Sequence, residues 1–163
     1  MAMPCSSCQT NPRCQTVRDS ALDTHYIYIG LGSNLGNGPR NLDVARGLLC
    51  ERVGEELACS DYVESAPWGF HSDHGFTNAV AAYRTVLNPL ELLDVTQEIE
   101  RQMGRRHKHK SGEPYTDRII DLDLLEYDDL TYQDERLTLP HPLIGARDFV
   151  RDPLIECKKK IIE

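Results

Sequence analysis

The chain lacks any apolar run approaching the ~18 residues that a membrane-spanning helix requires. Its first 24 residues, MAMPCSSCQTNPRCQTVRDSALDT, also lack the apolar stretch of a secretory signal, so a cytoplasmic protein is expected. Basic residues are in deficit, 18 Lys and Arg against 26 Asp and Glu, a formal charge of −8. That balance excludes a general nucleic-acid surface, which wants a basic domain. No nucleotide-binding glycine signature is present either. The glycines of GLGSNLG, at 30, 32 and 36, miss the GxGxxG spacing, and no GxxxxGK[ST] follows. No internal repeat is visible. Of six cysteines, Cys50 and Cys59 read as small buried hydrophobes of a reducing compartment. Cys5 and Cys8 have CxxC spacing but no fourth ligand at a typical distance, so beside Cys14 they favour a flexible tail or an appended remnant over a zinc site.

What remains is an ordinary globular composition, 40% hydrophobic and 27% charged over 163 residues. A chain of that size is one domain and buries roughly 70% of its unfolded surface. The expected division is a tail over 1–24, a folded domain over 25–157 and a short basic end over 158–163. YIYIGLG, residues 26–32, is a β-branched and aromatic run that predicts the first strand. Pro39 suits the first position of a helix in which Leu42, Ala45, Leu48, Leu49 and Val53 recur at helical spacing until Gly54. Residues 57–64 and 77–86 predict strands joined by the aromatic loop ESAPWGFHSDHGF. Asn88, Pro89 and Glu91 form the signature of a capped helix start. Leu92, Val95, Ile99 and Met103 then supply its buried stripe, and Gly104 its end. In ERLTLPHPLIGARDFV the reading is a short strand and a loop carrying His141, Arg147 and Phe149, and the final KKKIIE is expected to fray. The order strand, helix, strand, strand, helix, strand implies an α+β sandwich of ferredoxin-like type, its antiparallel sheet flanked by helices.

One strand carries chemistry. In DRIIDLDLLEY alternation puts Ile120, Leu122 and Leu124 on one face and Ile119, Asp121, Asp123 and Leu125 on the other. Both faces are largely apolar, as in a strand covered on both sides. Carboxylates roughly 6.5 to 7 Å apart there repel by about 2 to 3 kcal/mol at an effective dielectric of ~20. A divalent cation offsets that, since Mg²⁺ binds through one or two carboxylates plus substrate phosphates; an edge strand with one solvated face would also tolerate the pair. Just upstream, RRHKHKSGEPYTD holds four Lys or Arg in its first six residues. Alone it reads as a solvated charge run. Beside a carboxylate pair it reads as an arm that grips a polyphosphate opposite the metal.

YIGLGSNLG, ESAPWGF followed by FTNAV, TQEIERQMGR, and DRIIDLDLL with RLTLPHPLIGARDFV occur in this order. Together they resemble the 6-hydroxymethyl-7,8-dihydropterin pyrophosphokinase family of folate biosynthesis, over roughly residues 26 to 156. The resemblance implies transfer of a diphosphate from ATP to the hydroxymethyl group of a reduced pterin, with release of AMP. It implies that Asp121 and Asp123 hold two Mg²⁺ ions, and that Arg105 and Arg118, on a mobile loop, stabilise charge on the phosphates. Gln97, Glu100, Arg136, Thr138, His141 and Arg147 match ATP-binding positions. For Glu100 the residues alone suggest a solvated helix position; for His141, between Pro140 and Pro142, a structural role stands equally open. Asn78 matches the asparagine that reads the pterin edge, Phe149 and Phe76 aromatic positions against the ring, and Ser65, Ala66 and Trp68 the loop whose backbone completes the site. Ser33 and Asn34 read as turn residues shaping the site floor.

The chain departs from the family pattern where many members have tryptophan in WGPR; here YTDR follows, with Tyr115 an approximate stand-in, and Lys108, His109 and Lys110 have no assured counterpart. The expected partners are ATP and a reduced pterin, without nucleic acid or membrane. A monomer is expected, with a dimer as the alternative. Two competing functions are a nucleotide-sugar transferase using DLD as its metal clamp, disfavoured by the size of the chain, and a pterin-binding module without catalysis, disfavoured by Asp121, Asp123, Arg105 and Arg118.

Overall fold

The computed structural model describes residues 24–65, 75–104 and 119–162. Arg105 to Arg118, with Lys108, His109, Lys110 and Tyr115, lie outside the described residues, as do Ala66, Trp68, Cys5, Cys8 and Cys14.

Strands β1 (His25–Ser33), β2 (Gly54–Cys59), β3 (Val63–Ser65), β4 (Phe76–Thr85) and β5 (Asp121–Tyr127) form one antiparallel sheet. Its order is β2-β4-β1-β5, with β3 also pairing with β4. Helix α1 (Gly38–Arg52) connects β1 to β2, and helix α2 (Pro89–Gln102) connects β4 to β5. Each unit spans across one intervening strand, β4 in the first and β1 in the second. This is the split βαβ arrangement of the ferredoxin-like sandwich. A small ribbon of β6 (Tyr132–Gln133) and β7 (Thr138–Leu139) precedes helix α3 (Asp148–Ile162).

Alternation decides what each face buries. Ile27, Ile29 and Leu31 of β1, Ala79, Ala81 and Tyr83 of β4, and Leu122 and Leu124 of β5 form the main core with Leu42, Ala45 and Leu49 of α1 and Leu92 and Ile99 of α2. Removing each such large aliphatic side chain from water contributes about 1.5 to 3 kcal/mol. On the opposite face Val80, Ala82 and Leu125 pack against Leu154 and Cys157 of α3. The pairing of β1 with β5 shifts register, Tyr28 facing Glu126 and Ile29 facing Leu124, so Leu125 is the extra residue of a bulge. Leu125 thus stays on the face of α3, while Tyr127 turns into the main core.

The helix starts follow their sequence signals. Asn37 Oδ1 accepts from Arg40 N at 3.1 Å to cap α1. At α2 Asn88 Oδ1 accepts from Glu91 N at 2.8 Å while Asn88 N donates to Glu91 Oε1 at 3.1 Å, the reciprocal box expected of these residues. Gly104 follows α2 with φ +108, a conformation that favours glycine.

Three expectations are corrected. The C-terminal lysines do not fray: Lys158, Lys159 and Lys160 are helical, Lys158 Nζ donating to Glu126 Oε2 at 2.9 Å and Lys160 Nζ to Cys59 O at 2.9 Å. Phe149 therefore sits in the first turn of α3 rather than in a loop, and Pro153 is accommodated inside the helix. In α2 the buried residues are Leu92, Leu93, Thr96, Ile99 and Glu100, with Val95 and Met103 at the margin of the core. Glu100 is not a solvated residue.

Candidate active site

The site is assembled where β1 ends and β4 and β5 begin. Because the pairings are antiparallel, Gly32 lies opposite Asn78 of β4 on one side and Asp121 of β5 on the other. One step along, Gly30 lies opposite Val80 and Asp123. At these two positions the strand between the asparagine and the aspartates therefore presents no side chain on that face. A cleft opens above it, lined by Gly30, Gly32, Phe76, Asn78, Asp121, Asp123, Leu125, Arg147 and Phe149. Of the two glycines, Gly32 is the sterically tighter. A Cβ at Gly32 would lie 3.3 Å from Asn78 Oδ1 and 3.6 Å from the Phe76 ring, and one at Gly30 would lie 3.5 Å from Leu125.

Asp121 and Asp123 are half-buried and both line the cleft, on the face that alternation assigns them. Arg147 enters from the segment before α3, its guanidinium 5.9 Å from the Phe149 ring centroid. Asn78 is 5% exposed, and its amide orientation is set by its neighbours. Nδ2 donates to Ser65 Oγ at 2.7 Å and toward Phe76 O at 3.5 Å, which turns Oδ1 toward Gly32. Asn41 Nδ2 donates to Ser33 Oγ at 3.0 Å and Leu35 O at 2.8 Å, holding the turn that follows β1.

A second group of the sequence-derived residues gathers along the outer edge of β5. Glu100 Oε2 accepts from Leu122 N at 2.9 Å, and His141 N donates to Leu125 O at 2.9 Å. The His141 ring accepts from Leu143 N through Nδ1 at 3.1 Å. Arg136 donates to Asp94 Oδ1 at 2.6 Å and approaches Gln97 Oε1 at 3.5 Å, bridging the β6–β7 ribbon to α2. The guanidinium is held further toward its charged form, chiefly by that bond to Asp94. Thr138 lies in β7 beside this flank. Arg147, grouped in the sequence with these residues, stands instead in the cleft beside the aspartates.

As a cation site the geometry fits a hard divalent ion that keeps most of its shell from water and substrate. Two carboxylates share one face, and the glycines opposite leave room beside them. Among the described residues no group of three or more His, Cys, Asp or Glu could enclose a metal by itself. The contribution of Gly30 and Gly32 was missed in the sequence; the signal was there, in two glycines sharing the even-numbered face of a strand otherwise rich in Ile, Leu and Tyr.

Comparison with known proteins gives a consistent result. A 2-amino-4-hydroxy-6-hydroxymethyldihydropteridine pyrophosphokinase of Porphyromonas gingivalis is 46% identical over 129 residues, covering 78% of this chain and 87% of the relative. One of the same name from Haemophilus influenzae is 38% identical over 136 residues, covering 83% and 82% respectively. Among solved structures, the wild-type HPPK-DHPS of Plasmodium falciparum with pterin and p-hydroxybenzoate matches with a TM-score of 0.64 at 17% identity, over 82% of this chain. The chain spans 38% of that longer protein, and at this identity the likeness concerns the fold. Among the described residues no helix is long and apolar enough to cross a membrane. Residues 28–159 match the family model described as 7,8-dihydro-6-hydroxymethylpterin-pyrophosphokinase, and the chain belongs to that family, whose reaction in folate biosynthesis is pyrophosphoryl transfer to hydroxymethyldihydropterin.

Proposed function

We propose that the cleft above Gly30 and Gly32 holds the reduced pterin and the reacting phosphates, and that the flank along β5 receives the rest of ATP. The observation that carries this reading is the row Asn78, Gly32, Asp121 across three adjacent strands. Neighbouring strands lie about 4.8 Å apart, so Asn78 and Asp121 are separated by roughly 10 Å of side-chain-free floor. A flat bicyclic ring whose amide-like edge meets Asn78 spans that floor and presents its hydroxymethyl end to the aspartates. Phe149 and Phe76 offer ring faces, and Ser65 fixes the Asn78 amide that reads the edge.

Asp121 and Asp123 would hold two Mg²⁺ ions, which would supply neutralisation of the phosphate charge and a lowered pKa for the pterin hydroxyl. The chain's own groups align the reaction. Arg147, in the cleft, donates to phosphate oxygens, while Gln97, Glu100, Arg136, Thr138 and His141 line the approach of the nucleotide. The family resemblance assigns Arg105 and Arg118 as further donors to the developing charge, and Ala66 and Trp68 as further pterin contacts; all four lie outside the described residues. Positioning and charge neutralisation supply most of the rate, as in phosphoryl transfer generally. The reading takes the protein as a cytoplasmic monomer.

The test is direct: incubation with ATP, Mg²⁺ and hydroxymethyldihydropterin, following AMP. AMP release that requires the pterin supports the reading. Pterin binding without turnover overturns the catalytic part, and sugar-dependent turnover overturns the substrate. Omitting Mg²⁺ abolishes AMP release if the aspartates are metal ligands, and sedimentation at assay concentration checks the monomer.

A further inference from the structure

Glu100 is 3% exposed, one of the most deeply buried ionisable side chains among the described residues. It projects from α2, a helix whose other buried positions are Leu92, Leu93, Thr96 and Ile99. A carboxylate in such a place is expensive unless it is hydrogen-bonded, and stability alone would favour an apolar residue there. Its location adds to the expense, because the strand it meets carries Asp121 and Asp123. The acceptor Glu100 Oε2 lies 2.9 Å from Leu122 N. That N–H belongs to the peptide joining Asp121 to Leu122, so the bond acts on the backbone between the two aspartates.

The geometry explains what such a bond does. In the sheet β5 has β1 as its neighbour on one side. The backbone of β1 holds the inner edge of β5 through the pairs Gly32 with Asp121 and Gly30 with Asp123. Leu122 directs its side chain into the main core between those two pairs. Its N–H, bonded to Glu100 of α2, faces the outer edge. The segment is thereby held from both edges within one residue of each carboxylate. A charged acceptor makes a stronger bond to a backbone N–H than a neutral one. Rotation of the Asp121–Leu122 peptide would break it and turn Asp121 out of line with Asp123.

We propose that Glu100 is a positioning residue that clamps the Asp121–Leu122 peptide and so aligns both carboxylates toward the cleft before any ligand arrives. This inference rests on the reading of Asp121 and Asp123 as the metal-binding pair. It assigns the buried carboxylate a task on the protein's own backbone, separate from the nucleotide contact that the family resemblance implies.

Two measurements test it. The first is amide exchange at Leu122 in the ligand-free protein, followed by NMR. Protection is expected in the parent, to persist largely in Glu100→Gln, which retains an acceptor oxygen, and to fall by about tenfold or more in Glu100→Ala, as loss of a hydrogen bond to a charged group requires. Unchanged protection at Leu122 in Glu100→Ala overturns the clamp. The second is the affinity for a non-hydrolysable ATP analogue, measured with Mg²⁺ and with EDTA. A clamp predicts that Glu100→Ala loses affinity only in the presence of Mg²⁺, whereas equal losses in both conditions overturn positioning in favour of direct contact with the nucleotide. Where Glu100→Ala is too unstable, Glu100→Asp keeps the charge, shortens the reach by one methylene and gives the same comparison. If the parent itself shows no Mg²⁺-dependent gain, the metal reading of the aspartates fails while the exchange result still reports separately on the bond.

Discussion

Asn78 and Asp121 occupy one row of the sheet, paired with Gly32 from opposite sides. A polar amide and an acid are thus held at a fixed spacing by backbone pairing, with the intervening residue contributing no side chain. Gly32→Ala would place a methyl 3.3 Å from Asn78 Oδ1 and 3.6 Å from the Phe76 ring. Because the amide borders an open cleft it can yield, so the melting temperature should stay near that of the parent. Pterin affinity should nevertheless fall by roughly tenfold to a hundredfold, as small misplacements of a positioning group do. Gly30→Ala, with ordinary contact to Leu125 at 3.5 Å, should leave pterin affinity closer to normal. Calorimetric titration of both variants distinguishes these outcomes.

Removing one charge from the acidic pair should separate chemistry from folding. Asp121→Asn and Asp123→Asn keep the shape of side chains that are only half-buried, so circular dichroism and melting should be little altered. Turnover should drop by about 10² to 10³ or more, the scale expected when preorganised electrostatic stabilisation is lost. A variant with near-normal AMP release at saturating Mg²⁺ would refute the metal role.

For Asn78→Ala the expected change is confined to one substrate. The amide is tied to Ser65 and faces the glycine floor, away from the flank where Arg136 and His141 gather. Pterin binding should weaken while ATP binding stays nearly unchanged. Equal losses for both ligands by calorimetry would remove the edge-reading role.

Stability should decline in alkali. Burial, with the nearby Cys59 as a second cause, pushes the Cys157 thiol from 9.0 up to about 12. Burial likewise pushes the Tyr127 hydroxyl from 10.0 up to about 12. Both raised values favour the protonated form in the folded protein. Between pH 9 and 12 the folded chain therefore binds more protons than the unfolded one, and stability falls as pH rises. Urea midpoints at about pH 8, 10 and 11 should decrease in that order, and Cys157→Ala should flatten the decrease.

Local signals in the sequence specified local structure well. Asn88, Pro89 and Glu91 start α2 as their spacing requires, and the alternation in DLDLL places Asp121 and Asp123 on a face opposite Leu122 and Leu124. The floor of the cleft was harder to read, because the meaning of two glycines on one strand face depends on which strands flank it. Glu100 shows the same difficulty from the other side. A glutamate in an amphipathic helix resembles a solvated residue until the N–H of Leu122, 22 positions later, is known to reach it. The C-terminal helix was obscured by Pro153 and three consecutive lysines, whose contacts with Glu126 and Cys59 are long-range.

The split arrangement of the two βαβ units has a consequence for how the protein comes into being. The first strand supplies the glycines, the fourth the asparagine and the fifth the acids, with about forty residues or more between successive contributions. A fragment that stops short of the fifth strand has a floor and an amide but no acids. During synthesis the amide and the acids of the proposed site therefore face each other only once the fifth strand pairs with the first, and a nucleotide with Mg²⁺ added to a refolding reaction should pull only on that pairing step.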